Sequence, residues 1–268
     1  MSRLESFIHR TLKRPYKLAK TYDAGKGQPV ILLHGIASSS LIWQPFYDLD
    51  SPGLRIVSFD LLGFGSSPKP DWSDYSIEDH ARSVVASIRK LKLRRPIVLV
   101  GHSMGSLIAT HIAHEHPNLV KKLILYEPPV FASETGHKRY ERRKSAYLRA
   151  FGYIASRQEL VLMYSQVLGQ RLKGNTAFSM DRAGWLPFER SLRNTVIHQN
   201  TYDELLTIQT PTDIVYGRKD RLVIRVGANQ LFASNPNISI HTIKEIHGLT
   251  PRSAKYLRDL INQRVYKK

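Results

Sequence analysis

Apolar residues along this chain fall in short blocks divided by turn-forming residues, and two periods alternate between the blocks. Residues 29–33 (PVILL), 55–59 (RIVSF), 96–100 (PIVLV) and 120–126 are near-continuous apolar runs of strand length, the pattern of strands buried on both faces. Residues 16–22, 212–216 and 238–243 read as further strands. Helical spacing predicts helices over 76–91, from Ser103 to about His116 and over 253–265, a short one over 41–49 and another around Gln230. Ser76 and Asp79 stand at capping spacing. So do Ser2 and Glu5, ahead of Leu4, Phe7, Ile8 and Leu12, and Pro15 stops that pattern. Residues of about 2–14 therefore predict a basic amphipathic helix.

Strands and helices that alternate in this way imply an α/β fold with a mostly parallel sheet covered on both faces. Ligands bind at the carboxyl ends of the strands in such sheets. The unusual turns of this chain, HGIASSS (34–40), DLLGFGSS (60–67), GHSMG (101–105), EPP (127–129) and GRKD (217–220), all fall at such ends. Over 130–206 the strand pattern gives way to a helical block rich in Arg, Tyr and Leu. The expected organisation is a core in two parts, 1–129 and 207–268, with a helical insertion over 130–206 between them.

Composition narrows the chemistry. The absence of cysteine excludes disulfides, a cysteine nucleophile and thiolate metal sites. His111 and His114 stand at i, i+3 without a third ligand beside them, so no metal site is expected. The first residues carry no apolar signal segment, and no run of about 18 apolar residues occurs, so a cytoplasmic protein without a membrane span is expected. The net charge of +18 draws the chain toward anionic surfaces. Its basic residues are dispersed and no nucleic-acid recognition motif accompanies them, so no specific nucleic-acid partner is expected. Peripheral contact of the N-terminal helix with an anionic membrane stands beside packing on its own domain.

Gly101-His102-Ser103-Met104-Gly105 is a G-x-S-x-G pentapeptide. Alone it arises by chance in about one chain in ten of this length. Here it directly follows a strand and opens a helix, the setting the motif needs. A serine on so sharp a turn needs neighbours without bulk, and the helix behind it offers free N–H groups, that of Met104 first, to an oxyanion. The hydroxyl also needs a histidine base oriented by a carboxylate. Asp220, in the turn after a strand, and Glu127, ending LILYE, are both placed to be that acid, Asp220 being the better placed. Of eleven histidines, His247 stands after the 238–243 strand and before the last helix, where the base is expected.

Taken together, LLHG (32–35), FDLLGFGSS (59–67), GHSMG, YGRKD (216–220) and the His247 region resemble the α/β-hydrolase family, specifically serine-nucleophile members with a helical cap. The resemblance runs from about Pro29 to the last helix. It implies Ser103 as nucleophile, His247 as base, Asp220 as acid, no cofactor, and the backbone N–H of Ile36 as the second oxyanion donor. It implies that residues 60–67 shape the site mouth and that the insertion is a cap governing substrate choice. Haloalkane dehalogenases and epoxide hydrolases of this family carry an aspartate at the elbow, so Ser103 speaks against both. Two departures stand out: Ile246, not glycine, precedes His247, and Ser106 follows the pentapeptide where a glycine is usual.

Carboxylic ester hydrolysis through an acyl-enzyme is the leading expectation. The same residues also suit a C–C bond hydrolase, a monoacylglycerol-type lipase or an amidase, and a non-catalytic ligand-binding protein on the same fold is the alternative from another class. The expected partner is a small ester-type molecule, apolar or aromatic, because the insertion carries Tyr140, Tyr147, Phe151, Tyr153, Met163, Tyr164, Phe178 and Trp185.

Overall fold

Among the described residues seven strands form one sheet in the order β1-β3-β2-β4-β5-β6-β7, with β1 Lys20–Gly25, β2 Gln28–Leu33, β3 Leu54–Phe59, β4 Ile97–His102, β5 Val120–Tyr126, β6 Thr212–Gly217 and β7 Ile238–Ile243. The computed structural model describes residues 3–12, 14–132, 138–163, 182–224 and 235–263. All pairings from β3 to β7 are parallel, and only β1 joins antiparallel, at the edge.

The continuous apolar runs have a direct cause. Alternate residues of each central strand enter opposite layers. Ile31, Leu33, Leu99, Leu123 and Leu125 face a layer built with α3 (Ile77–Lys90) and α4 (Met104–Glu115). Val30, Leu32, Val98, Val100 and Ile124 face a second layer with Trp43, Phe46 and the last helix, α8 (Pro251–Asn262). Each fully buried aliphatic side chain of this kind contributes about 1.5–3 kcal/mol relative to exposure. Ser76 caps α3 and Thr250 caps α8, in the latter case through a capping box with Ser253.

The first strand differs from expectation. Residues 16–19 are not in the sheet, although Tyr16 and Leu18 are buried. Their backbone N–H groups go to side chains instead: Leu18 N–H donates to Ser87 Oγ and Ala19 N–H to Ser67 Oγ. The strand starts at Lys20, where the chain reaches the edge and becomes polar. Residues 41–49 fold as a 3₁₀ turn (Ser40–Trp43) followed by the short α2 (Gln44–Tyr47). The N-terminal α1 (Arg3–Arg10) lies near its own domain, with His9 stacked on Tyr16 at 3.7 Å and Phe7 exposed.

Between β5 and β6 the described residues form α5 (Lys138–Ala155), α6 (Arg182–Ser191), a π-helical stretch (Leu192–Ile197) and α7 (Thr201–Thr207). Its second half is tied to residues 71–75. Arg190 donates to the Asp71 and Ser73 carbonyls, Asn194 to that of Asp74 and Thr195 to that of Tyr75. Ser2, Gln230, Tyr164 and Phe178 lie outside the described residues. Among the described residues no helix is long and apolar enough to cross a membrane.

Candidate functional site

Ser103 is the hinge between β4 and α4. Its backbone sits at φ 52°, ψ −122°, a region that non-glycine residues rarely enter and that costs on the order of 1–3 kcal/mol. The surroundings enforce this geometry. Ser103 N–H donates to the Tyr126 carbonyl at the end of β5, and Ser106 N–H donates to the Ser103 carbonyl. A Cβ on Gly101 would lie 2.4 Å from the Gly105 carbonyl oxygen, and one on Gly105 would lie 2.4 Å from that of His34. Both glycines are therefore required by close approach of backbone to backbone. Ser106, the departure after the pentapeptide, donates its hydroxyl proton to the Gly101 carbonyl.

The turn HGIA lies directly against the elbow. A Cβ on Gly35 would sit 3.1 Å from Ser103 Cβ. His34 braces this turn with both ring nitrogens: Nδ1–H donates to the Gly35 carbonyl and Nε2 accepts from Leu61 N–H. Burial pushes its pKa down, consistent with that neutral form. Asp60 ties in the neighbouring turn, accepting from Ser40 N–H and Ser66 N–H, each at 2.8 Å. Ile36 follows Gly35 and Met104 follows Ser103. Among the described residues neither backbone N–H has a protein acceptor.

His247 and Asp220 meet at the same sheet edge. His247 Nδ1 donates to Asp220 Oδ2 at 2.8 Å, while Asp220 Oδ1 accepts from Leu222 N–H at 2.6 Å and Val223 N–H at 3.3 Å. Burial raises the Asp220 pKa, but the hydrogen bonds from His247, Glu127 and Leu222 and the His247 charge outweigh it, bringing it to about 2. Asp220 is thus a carboxylate at neutral pH, held at the Nδ1 edge of an imidazole. Glu127 is fully buried, and a carboxylate oxygen of Glu127, one of Asp220 and a ring nitrogen of His247 all lie within 4.8 Å of one another. His247 takes its hydrogen bond to Asp220 and not to Glu127.

Two residues that sequence reasoning missed hold the His247 loop. His102 Nε2–H donates to the His247 carbonyl at 2.7 Å, and the Tyr126 hydroxyl donates to the carbonyls of Ile246 and Gly248. Burial drives the His102 pKa down to about 3, so this donor is a neutral imidazole. The signal for His102 was its place inside the pentapeptide, one residue from the serine. Among the described residues the Ser103 hydroxyl makes no hydrogen bond, and His247 Nε2 makes none either. From α5, Tyr147 packs edge-on against Phe131 and Phe151. Burial raises its phenol pKa, and the charge of Asp220 adds to that.

Comparison with known proteins agrees with this architecture. The chain is 41% identical over 106 residues to a probable lysophospholipase, BODYGUARD 4, of Arabidopsis thaliana, a match covering 39% of this chain and 25% of that protein. It is 31% identical over 136 residues to (E)-2-((N-methylformamido)methylene)succinate hydrolase of Acinetobacter baylyi, covering 49% of this chain and 51% of that one. The chain thus spans between a quarter and about half of the length of these relatives. The solved structure of an esterase from Exiguobacterium antarcticum superposes with a TM-score of 0.69 at 22% identity, over 92% of this chain and 97% of that one, a likeness of fold. A family model described as the alpha/beta hydrolase fold matches residues 28–244, which contain Ser103 and Asp220 and stop just before His247. The chain belongs to the alpha/beta hydrolase fold family.

Proposed function

We propose that this protein is a serine esterase that cleaves carboxylic esters through an acyl-enzyme on Ser103. The observation that carries this reading is the strained serine at the strand–helix elbow, together with a histidine whose Nδ1–H is fixed on a buried carboxylate. His247 Nε2 takes the proton of Ser103 as the hydroxyl attacks the ester carbonyl, and Asp220 stabilises the imidazolium that forms. The N–H groups of Ile36 and Met104, unclaimed by protein acceptors, receive the developing oxyanion. His247 returns the proton to the leaving alcohol. It then activates the water that releases the acid and frees Ser103. A serine at the elbow, in place of aspartate, argues for this acyl-transfer chemistry over epoxide or carbon–halogen cleavage.

The substrate is read as an ester with an apolar or aromatic acyl group, set against Phe131, Tyr147 and Phe151 of the insertion, which acts as a cap. The likeness to a probable lysophospholipase, joined to a net charge of +18, favours an ester borne on an anionic, lipid-like molecule presented at a peripheral membrane surface. The deciding experiment is a panel of p-nitrophenyl esters of rising chain length, run beside a lysophospholipid and a C–C bond hydrolase substrate. Turnover of the longer esters and the lysophospholipid, lost in Ser103→Ala, is expected. Turnover of the C–C substrate alone would contradict ester hydrolysis while keeping the triad.

A further inference from the structure

We propose that Glu127 is a positioning residue that keeps its proton and donates a hydrogen bond to Asp220, so that the carboxyl pair carries a single negative charge beneath His247. This rests on the reading of Asp220 as the acid that orients the base.

The backbone is arranged to deliver a carboxyl to this spot. Glu127 is a non-glycine residue at φ 52°, in the left-handed region that disfavours side chains. Its N–H still donates to the Val215 carbonyl at 2.9 Å, so it extends β5 toward β6. The side chain runs across the end of β6, where Gly217 N–H donates to Oε1. Gly217 leaves the room: a Cβ there would lie 2.4 Å from Glu127 Oε1. A strained residue on one strand and a glycine on the next together hold a fully buried carboxyl against Asp220.

Two carboxylates this close inside a protein do not both ionise, and the better-solvated partner keeps the charge. Asp220 has His247 Nδ1–H and the N–H groups of Leu222 and Val223. Glu127 receives the Gly217 N–H and is fully buried. The proton therefore belongs to Glu127, and the hydrogen bond between the two side chains runs from Glu127 to Asp220. The other groups around the pair do not reverse this. His102 is a neutral donor to the His247 carbonyl, and the Tyr126 and Tyr147 phenols are kept un-ionised by burial. The Glu245 carboxylate is turned toward the start of α8, where it accepts from Thr250 Oγ1 and lies 3.7 Å from Arg252 Nε. During turnover the Glu127 proton stays in place. It disperses part of the Asp220 charge and locks the carboxylate plane that His247 reads.

The test pairs a spectroscopic and a kinetic readout. Infrared spectra of the intact protein at neutral pH should show the C=O stretch of a protonated carboxyl that disappears in Glu127→Gln. Its absence from the unsubstituted protein overturns the proposal. Glu127→Ala removes the donor and strands Gly217 N–H, and should lower kcat/KM about 10- to 100-fold. Glu127→Gln offers an N–H to Asp220 and an oxygen to Gly217, and should recover most of that loss with the acid limb of the pH profile in its original place. Recovery with the acid limb moved down by about one unit or more would mean that an ionised neighbour had been removed, and would overturn it. Loss of turnover in EDTA that a divalent cation restores would also overturn it, since the ion would then replace the proton. A silent Asp220→Asn beside an intact carboxyl band would sink the esterase triad instead, leaving the Glu127 proton standing.

Discussion

Ser191 and His80 share a hydrogen bond of 3.0 Å where the insertion meets α3, whereas the Ser103 hydroxyl makes none among the described residues. By hydrogen bonding alone, Ser191 would be the better nucleophile. Everything else points the other way. Ser191 has ordinary helical backbone at φ −63°, ψ −40°, and Ser103 is strained. Burial lowers the His80 pKa to about 3, too low for an effective base near neutral pH, and among the described residues its Nδ1 has no hydrogen-bond partner to orient the ring. The nearest acid, Asp79, gives its oxygens to Arg82 and Ser73. His247 has its Nδ1 on an ionised, buried carboxylate. On the proposed reading, Ser103 owes its reactivity to the carboxylate partner of His247, to strain that presents the hydroxyl and to nearby free N–H groups. The Ser191–His80 bond is a latch between insertion and core.

The largest expected effect separates these two regions. Ser103→Ala should reduce kcat by about 10⁴-fold or more with the fold retained, while Ser191→Ala should leave a protein that still turns over ester, as steady-state assays and circular dichroism of both variants would show. Asp220→Asn should cost about 10⁴-fold in kcat, because an amide places the wrong tautomer on His247. A loss under tenfold would break the contrast between an oriented and an unoriented histidine.

How much of this was legible in the sequence follows from how each feature is encoded. Strands buried on both faces leave continuous apolar runs, so β2 to β6 were readable to within two residues at every end, and β7 was read at its observed bounds. The edge strand β1 was misplaced because Tyr16 and Leu18 are buried outside the ladder, with the Leu18 and Ala19 N–H groups satisfied by serines far along the chain. The positions of Ser103, Asp220 and His247 were readable because each follows a strand end, and the structure pairs Asp220 with His247. The roles of His102, Tyr126 and Glu127 were hidden. Each acts on a residue 90 or more positions away, and no local spacing encodes such a contact.

Smaller effects sharpen the comparison. His102→Ala should lower kcat/KM about tenfold, by freeing the His247 carbonyl from its donor, with Tm measured alongside to separate positioning from stability. Acid should destabilise the fold through the buried histidines. His80 and His102 have folded pKa values of about 3 against about 6.5 unfolded, so between these values the unfolded chain binds more protons. Their contribution is complete above pH 6.5 and falls as pH drops toward 3. Urea unfolding should lose about 2 kcal/mol between pH 7 and pH 5.5, and flat stability across that window would contradict their burial as neutral rings. The smallest effect is Ser191→Ala, about 1 kcal/mol in the same assay, from the lost latch.

Labelling by a fluorophosphonate, followed by peptide mass mapping, tests the central claim most directly. A single adduct on Ser103, absent from Ser103→Ala and retained in Ser191→Ala, is the predicted result. An adduct on Ser191, or a folded protein that takes up no label, would contradict it.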